Sequence, residues 1–205
     1  MSLVAESGEQ RKKIHPQKFM MWMAMGSISM MFAGLTSAYI VRESQGNWRY
    51  YNLPSVFTFS TVAIVLSSIT MILAVKAFKA RQMSRYKALV GTTLLLGLLF
   101  GVLQFAGFYN LAHQLQQIRI NGEVLKEASV VKVSGNPSES FLFIIAGLHL
   151  AHVAGGIIAL VVLYFKAFRK RVKVYNTTGL EIVASYWHFV DVLWLYLFVF
   201  FLANQ

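Results

Sequence analysis

The sequence predicts an all-α polytopic membrane helix bundle with five transmembrane helices. Hydrophobic residues make up 57% of the 205-residue chain and charged residues only 13%, a balance that soluble domains do not have. Five apolar segments are each long enough, at about 1.5 Å of rise per residue, to cross a hydrocarbon core of roughly 30 Å. We therefore expect a single membrane domain over residues 1–205.

Polar connections separate the five predicted spans, and all but one are short. The long connection, residues 112–139, contains turn signals at Asn121-Gly122 and Gly135-Asn136-Pro137. Its segments 123–125 and 129–133 favour a short hairpin. The predicted spans are Phe19 to Val41, Pro54 to Val75, Ala88 to Leu111, Ser140 to Phe165 and Glu181 to Leu202.

The basic residues predict the orientation of the chain in the membrane. Fourteen of the 19 Lys and Arg residues fall on one side of the predicted spans and five on the other. Because cytoplasmic loops retain positive charge, the N-terminus is predicted to be cytoplasmic and the C-terminus periplasmic. Orientation also explains the net charge of +11, so nucleic-acid binding is not expected.

Two further features limit the chemistry and processing of the chain. It has no cysteine, which excludes disulfides, iron–sulfur clusters and thiolate metal sites. Residues 1–18 are polar and then basic, without the short apolar region and small-residue cleavage site of a secretory leader. No cleavable signal peptide is therefore expected.

Small residues at helical spacing predict where the spans pack closely, since helices in lipid associate through close backbone approach. The first, third and fourth spans each carry such a stripe and are expected to form a compact bundle. The stripes are Gly26, Gly34 and Ala38, then Gly97 and Gly101, then Gly147, Ala151, Gly155 and Ala159.

Ionisable residues inside the last two spans are the candidate functional residues. Glu181, His188 and Asp191 share one face of the fifth span, and His149 and His152 lie three apart on the fourth. Ionisable groups are costly in lipid and mark either a packed polar network or a functional site. Asp191 and His152 are predicted at similar depth, which makes a contact between them an expectation.

Three interpretations of these five residues stay open. They could satisfy one another as a structural network, or handle protons or lipid head groups, or hold a haem. Haem ligation by two histidines is disfavoured because His188 lies about 9 Å or more from the predicted depth of His149 and His152. A di-metal site lacks enough His and carboxylate ligands.

The segment Tyr186-Trp187-His188-Phe189-Val190-Asp191-Val192-Leu193-Trp194-Leu195 closely resembles the signature of subunit III of the haem-copper respiratory oxidases. The resemblance covers all five spans. It includes Gly179-Leu180-Glu181, Gly147-Leu148-His149-Leu150-Ala151-His152-Val153 with Gly155-Gly156, Gly101-Val102-Leu103-Gln104, and Ser27 with Met31-Phe32-Ala33-Gly34.

This resemblance implies a non-redox subunit of a terminal oxidase that reduces oxygen to water in a bacterial plasma membrane. It implies no catalytic, cofactor-binding or metal-binding residue in this chain, with haem and copper in the catalytic subunits I and II. The implied roles are stabilising the complex, supporting proton uptake and binding phospholipid. A respiratory supercomplex is a further assembly in which the oxidase could take part. His149, His152, Glu181, His188 and Asp191 would form its polar framework.

The sequence departs from longer family members in two ways. Those members have seven spans, the first two of which form a lipid-holding cleft, and this chain has no counterpart of that pair. They also carry a Glu after the serine matched by Ser27, where this chain has Ile28. The electron donor stays open between cytochrome c and a quinol. The alternatives to an oxidase subunit are a nitric oxide reductase subunit, a five-helix di-haem quinone-reactive anchor and a lipid-binding or transport module.

Overall fold

The computed structural model describes residues 16–45, 54–120, 137–168 and 177–204. These residues form five helices in chain order: α1 (Pro16–Glu43), α2 (Val56–Lys79), α3 (Met83–Ile120), α4 (Pro137–Phe168) and α5 (Thr178–Ala203). All five are long and apolar enough to cross a membrane. The prediction of an all-α bundle with five spans is therefore confirmed.

All five helices are longer than the predicted spans, and the difference is largest for α3 and α4. Helix α3 continues to Ile120 and α4 already begins at Pro137, so the prediction of a connection over the whole of 112–139 is wrong at both ends. Residues 112–117 are Ala, His, Leu and three Gln, most of them good helix formers that extend a helix beyond the apolar core. The predicted hairpin at 123–133 lies outside the described residues.

The helices alternate in direction and pack unequally. Helix α2 packs along α3 and α5, α4 packs on α3 and α5, and α1 packs only on α4 and α5. Lys18 of α1 and Lys79 of α2 both reach Glu181 of α5, so the start of α1, the end of α2 and the start of α5 lie together. We call this the basic end of the bundle. The distribution of basic residues predicts that this end faces the cytoplasm.

A buried tryptophan of α5 packs tightly against α3 and α4. Trp187 of α5 is completely buried and its ring lies between two glycines on neighbouring helices. A Cβ atom at Gly97 of α3 would lie 2.8 Å from the ring, and one at Gly156 of α4 would lie 2.9 Å from it. Both distances are too short for carbon atoms, so only glycine fits at these two positions.

The predicted small-residue stripes are therefore only partly where the close contacts occur. A Cβ at Gly147 would have no atom within 4 Å, and one at Gly155 would make ordinary contact at 3.7 Å with the Tyr186 hydroxyl. Gly26 and Gly34 of α1 also have open space at the Cβ position. The expectation of tight packing was right for Gly97 and wrong for the fourth-span stripe, because the buried face of α4 is the one that carries Gly156.

Candidate functional site

The five predicted residues do not form one hydrogen-bonded network in the described part of the chain. Among the hydrogen bonds of the described residues, none joins two members of the set His149, His152, Glu181, His188 and Asp191. Glu181 lies at the basic end, His188 faces α2, and His149 and Asp191 are inside the bundle. In the described part of the chain, these side chains therefore do not hydrogen-bond to one another.

Glu181 connects three helices at the basic end. Its Oε2 accepts a hydrogen bond from Lys18 Nζ at 2.6 Å, and its Oε1 lies 3.0 Å from Lys79 Nζ. Because the three side chains are between 26% and 56% exposed, each pair contributes at most about 1 kcal/mol. The bridge thus fixes the relative positions of α1, α2 and α5 more than it stabilises the fold.

His188 joins α5 to α2 one step further into the bundle. Its Nδ1 lies 2.6 Å from the hydroxyl oxygen of Ser68, within hydrogen-bond distance. His188 is seven residues beyond Glu181 on the same helix, about 10 Å deeper along its axis. Glu181 and His188 therefore lie on one surface of α5, with Glu181 at the basic end and His188 deeper in the bundle.

A groove of about 580 Å³ runs along this surface, between α1, α2 and α5. It opens where α1 and α2 do not pack on each other. Its mouth carries three lysines and one glutamate, and the rest of its lining is apolar except for Ser185 and His188. The lining residues are Lys18, Met21, Trp22, Ile72, Val75, Lys76, Lys79, Glu181, Ile182, Ala184, Ser185 and His188. A charged mouth above an apolar trough is the chemistry of a phospholipid site.

Asp191 is a buried carboxyl group without a hydrogen-bond partner among the described residues. It is 3% exposed, and neither of its carboxyl oxygens has a partner. Ser68 lies near Asp191, but the hydrogen bond of the Ser68 hydroxyl goes to His188.

The predicted contact between Asp191 and His152 is wrong. His152 turns back on its own helix, where its Nδ1 lies 2.7 Å from the carbonyl oxygen of Leu148. Asp191 lies instead near Ser68 of α2. His149 stacks on Trp194 and Gly156 meets Trp187, so His152 and Asp191 lie at similar depth, but the polar neighbour of Asp191 is on α2 and not on α4.

His149 is packed by aromatic rings. It is 1% exposed, and its ring stacks on Trp194 at a centroid distance of 5.2 Å, with Phe100 and Phe32 edge-on at 6.4 Å each. Neither ring nitrogen has a hydrogen-bond partner among the described residues. This packing supports a role in the core.

Within the described ranges, no three His, Cys, Asp or Glu side chains form a group that could hold a metal ion.

Several polar partners of α5 and α3 are serines and threonines of α2, which the sequence analysis did not single out. Trp187 and Trp194 of α5 donate through their indole nitrogens to Ser67 and Thr61, each at 3.0 Å. Further pairs are Gln104 with Ser60 at 2.9 Å and Thr93 with Thr70 at 2.9 Å. Ser60 and Ser67, like Thr61 and Ser68, are seven residues apart, a spacing that places them on one helical face. This seven-residue spacing could have identified the polar face of α2 from the sequence.

Comparison with known proteins gives one family. The family model described as cytochrome c oxidase subunit III matches residues 18–203. The chain is similar to cytochrome c oxidase subunit 3 of Bacillus sp. strain PS3, with 26% identity over 86% of this chain and 80% of the relative. It is similar to the probable cytochrome c oxidase subunit 3 of Rickettsia bellii, with 31% identity over 76% of this chain and 52% of the relative. It is also similar to the probable quinol oxidase subunit 3 of Staphylococcus aureus, with 32% identity over 72% of this chain and 66% of the relative.

Proposed function

Because this chain belongs to the cytochrome c oxidase subunit III family and is thus a subunit III of a terminal oxidase, we propose that it works there without a redox centre of its own. In this proposal it stabilises catalytic subunits I and II, which hold haem and copper, and supports proton uptake by the complex. The observation that carries the proposal is the family match over residues 18–203.

The chain is a multi-pass protein of the plasma membrane. Five helices are long and apolar enough to span a bilayer, and the relatives are oxidase subunits of bacteria. We propose cytochrome c as the electron donor of the complex. A quinol is the second candidate, favoured by the similarity to a protein named probable quinol oxidase subunit 3.

The first test is purification of the tagged full-length chain from its native membrane in a mild detergent. The expected result is that subunits I and II purify with it and that the complex has a haem Soret band, whereas the chain separated from them has none. A Soret band that stays with the separated chain, or a purified complex without a haem-copper subunit, would contradict the proposal. The same preparation identifies any supercomplex partner.

We also propose that this subunit binds a phospholipid in the groove between α1, α2 and α5. Trp22, Ile72 and Val75 supply apolar walls for an acyl chain, and Lys76 lies at the mouth. Basic pockets between transmembrane helices attract lipid head groups. This groove would give the five-helix chain a lipid site of its own.

Filling the groove is expected to remove this lipid. Ser185 is exposed on α5 and lines the groove, so Ser185→Trp places a large ring where an acyl chain would lie. The expected result is at least a several-fold loss of retained phospholipid, measured by native mass spectrometry of the purified complex. Val192→Trp is the control, since Val192 is 63% exposed on the same helix and does not line the groove. Equal lipid retention in both variants would contradict the proposed site.

The contacts of the predicted polar residues support a structural role for most of them. Glu181 and His188 join α5 to α1 and α2. His149 packs against aromatic rings and His152 bonds to its own helix. We propose that these four residues position the helices for contact with the catalytic subunits. Asp191 has no hydrogen-bond partner among the described residues and is not one of the four.

A further inference from the structure

The mouth of the groove contains more positive than negative charge, and its one acidic residue is central. Lys18, Lys76 and Lys79 line the groove together with Glu181. The Glu181 carboxylate engages Lys18 with one oxygen and Lys79 with the other. No ion pair of Lys76 is found among the described residues. The lining residues therefore carry a surplus of two positive charges around a carboxylate that already uses both of its oxygens.

A phosphodiester head group would meet these same groups. Its acyl chains would lie along the apolar walls at Met21 and Ile72, which holds the phosphate near the lysines at the mouth. Two anions close together repel each other. A lipid phosphate and the Glu181 carboxylate would thus both need Lys18 and Lys79 as their partners.

We propose that Glu181 competes with the phosphate of an anionic phospholipid for Lys18 and Lys79, and that binding of such a lipid releases α5 from α1 and α2 at the basic end. This inference rests on the proposed phospholipid site and assigns its lipid class and its regulation. In the structure Glu181 holds both lysines at the mouth of the groove, and in this proposal the phosphate takes them when the lipid binds. The exposure of the three side chains makes the exchange cheap, because half-exposed ion pairs are weak.

The exchange can be measured directly on the unaltered protein. A water-soluble carbodiimide couples a carboxylate to a neighbouring lysine as an amide, with loss of the carboxylate oxygen to the reagent as a urea. In the delipidated full-length chain in mild detergent, the Lys18–Glu181 amide is expected among the tryptic peptides. Added dioleoyl phosphatidylglycerol is expected to lower its yield several-fold, and dioleoyl phosphatidylcholine to leave it unchanged. Sodium sulfate at the same concentration serves as the inorganic-anion control.

A charge variant tests the same competition from the lipid side. Glu181→Gln removes the competing charge, so the retained ratio of phosphatidylglycerol to phosphatidylcholine is expected to rise about two- to five-fold, the size of effect that exposed ion pairs have. Glu181→Asp keeps the charge and is expected to stay near the parent ratio. Glu43→Gln makes the same change at the opposite end of α1 and is expected to have no effect.

The outcomes separate this inference from the lipid site itself. If Ser185→Trp lowers retention of both lipids but Glu181→Gln leaves their ratio unchanged or lowers it, the site stands and the competition is overturned. If Ser185→Trp changes nothing, the site and the competition both fail. Equal suppression of the cross-link by phosphatidylcholine or by sulfate also overturns the assignment to an anionic phospholipid. The cross-link needs no variant, so poor folding of Glu181→Gln leaves the test intact.

Discussion

Replacing Gly156 by alanine is expected to lower the free energy of unfolding by about 1–3 kcal/mol, the usual cost of overpacking a filled core. The added Cβ would lie 2.9 Å from the ring of Trp187, which is completely buried. Trp187 cannot move away freely, since its ring also meets Gly97 on the other side and its indole nitrogen donates to Ser67. Thermal unfolding of the purified chain in detergent measures the effect.

The control for this variant is on the same helix. Gly147→Ala adds the same methyl group where no atom lies within 4 Å, so no loss is expected, and a small gain would follow from the higher helix propensity of alanine. Equal destabilisation by Gly156→Ala and Gly147→Ala would contradict the assigned position of Trp187.

A double-mutant cycle identifies the tryptophan as the cause. Trp187→Phe destabilises the chain by itself because it removes buried ring atoms and the indole hydrogen bond to Ser67. In that background, Gly156→Ala is expected to cost little, because the ring atoms nearest to Gly156 are gone. A coupling energy of about 0.5–3 kcal/mol is typical of residues in contact. Additive effects would show that the alanine acts through another neighbour.

The sequence was sufficient for the number of helices but not for their contacts. Apolar length determines whether a segment crosses a bilayer, and this property is local to each span, so all five were found. It does not determine where a helix ends outside the bilayer, which is why α3 and α4 extend past the predicted boundaries to Ile120 and from Pro137.

The rotation of each helix is a tertiary property. A four-residue spacing of small residues shows that a helix can pack closely, but not which of its faces does so. Gly156 contacts Trp187, while Gly147 and Gly155 of the predicted stripe do not pack tightly. For the same reason, the sequence predicted His152 as the neighbour of Asp191, whereas the structure places Asp191 near Ser68.

Two residues of the groove, Glu181 and His188, were singled out from the sequence, but the shape of the groove was not predicted. Glu181 and His188 were singled out as costly in lipid, and both do make polar contacts. Their partners Lys18, Lys79 and Ser68 lie on α1 and α2, far away in the sequence. The groove arises because α1 does not pack on α2, and no local pattern encodes a gap between two helices.

Replacing Asp191 by leucine is expected to raise the free energy of unfolding of the chain by about 1–3 kcal/mol, the cost of burying a polar group without a hydrogen bond. Leucine branches at the same carbon as aspartate and carries no polar atom. Asp191 is 3% exposed and its oxygens have no partner among the described residues, so the change removes a cost and breaks no hydrogen bond there. Thermal unfolding in detergent again measures the effect.

Ser68→Ala provides the contrast. Ser68 is next to Asp191 but has a hydrogen bond to His188, so its loss is expected to destabilise the chain by about 0.5–1.5 kcal/mol. Asp191→Asn, which keeps the shape but not the ionisable group, is expected to lie between the parent and the leucine variant. A loss of stability in Asp191→Leu larger than that in Ser68→Ala would indicate that the carboxyl group holds the last helices together.

The same variant decides between a structural carboxyl group and a proton relay in the assembled oxidase. A relay needs a continuous series of hydrogen-bonding groups. From the groove this series runs through His188 to Ser68, which lies near Asp191, but among the described residues the carboxyl oxygens of Asp191 have no hydrogen bond. We therefore expect Asp191→Asn to leave both assembly and the number of protons pumped per electron unchanged. Normal assembly with reduced pumping would assign Asp191 to a proton path that continues into a neighbouring subunit.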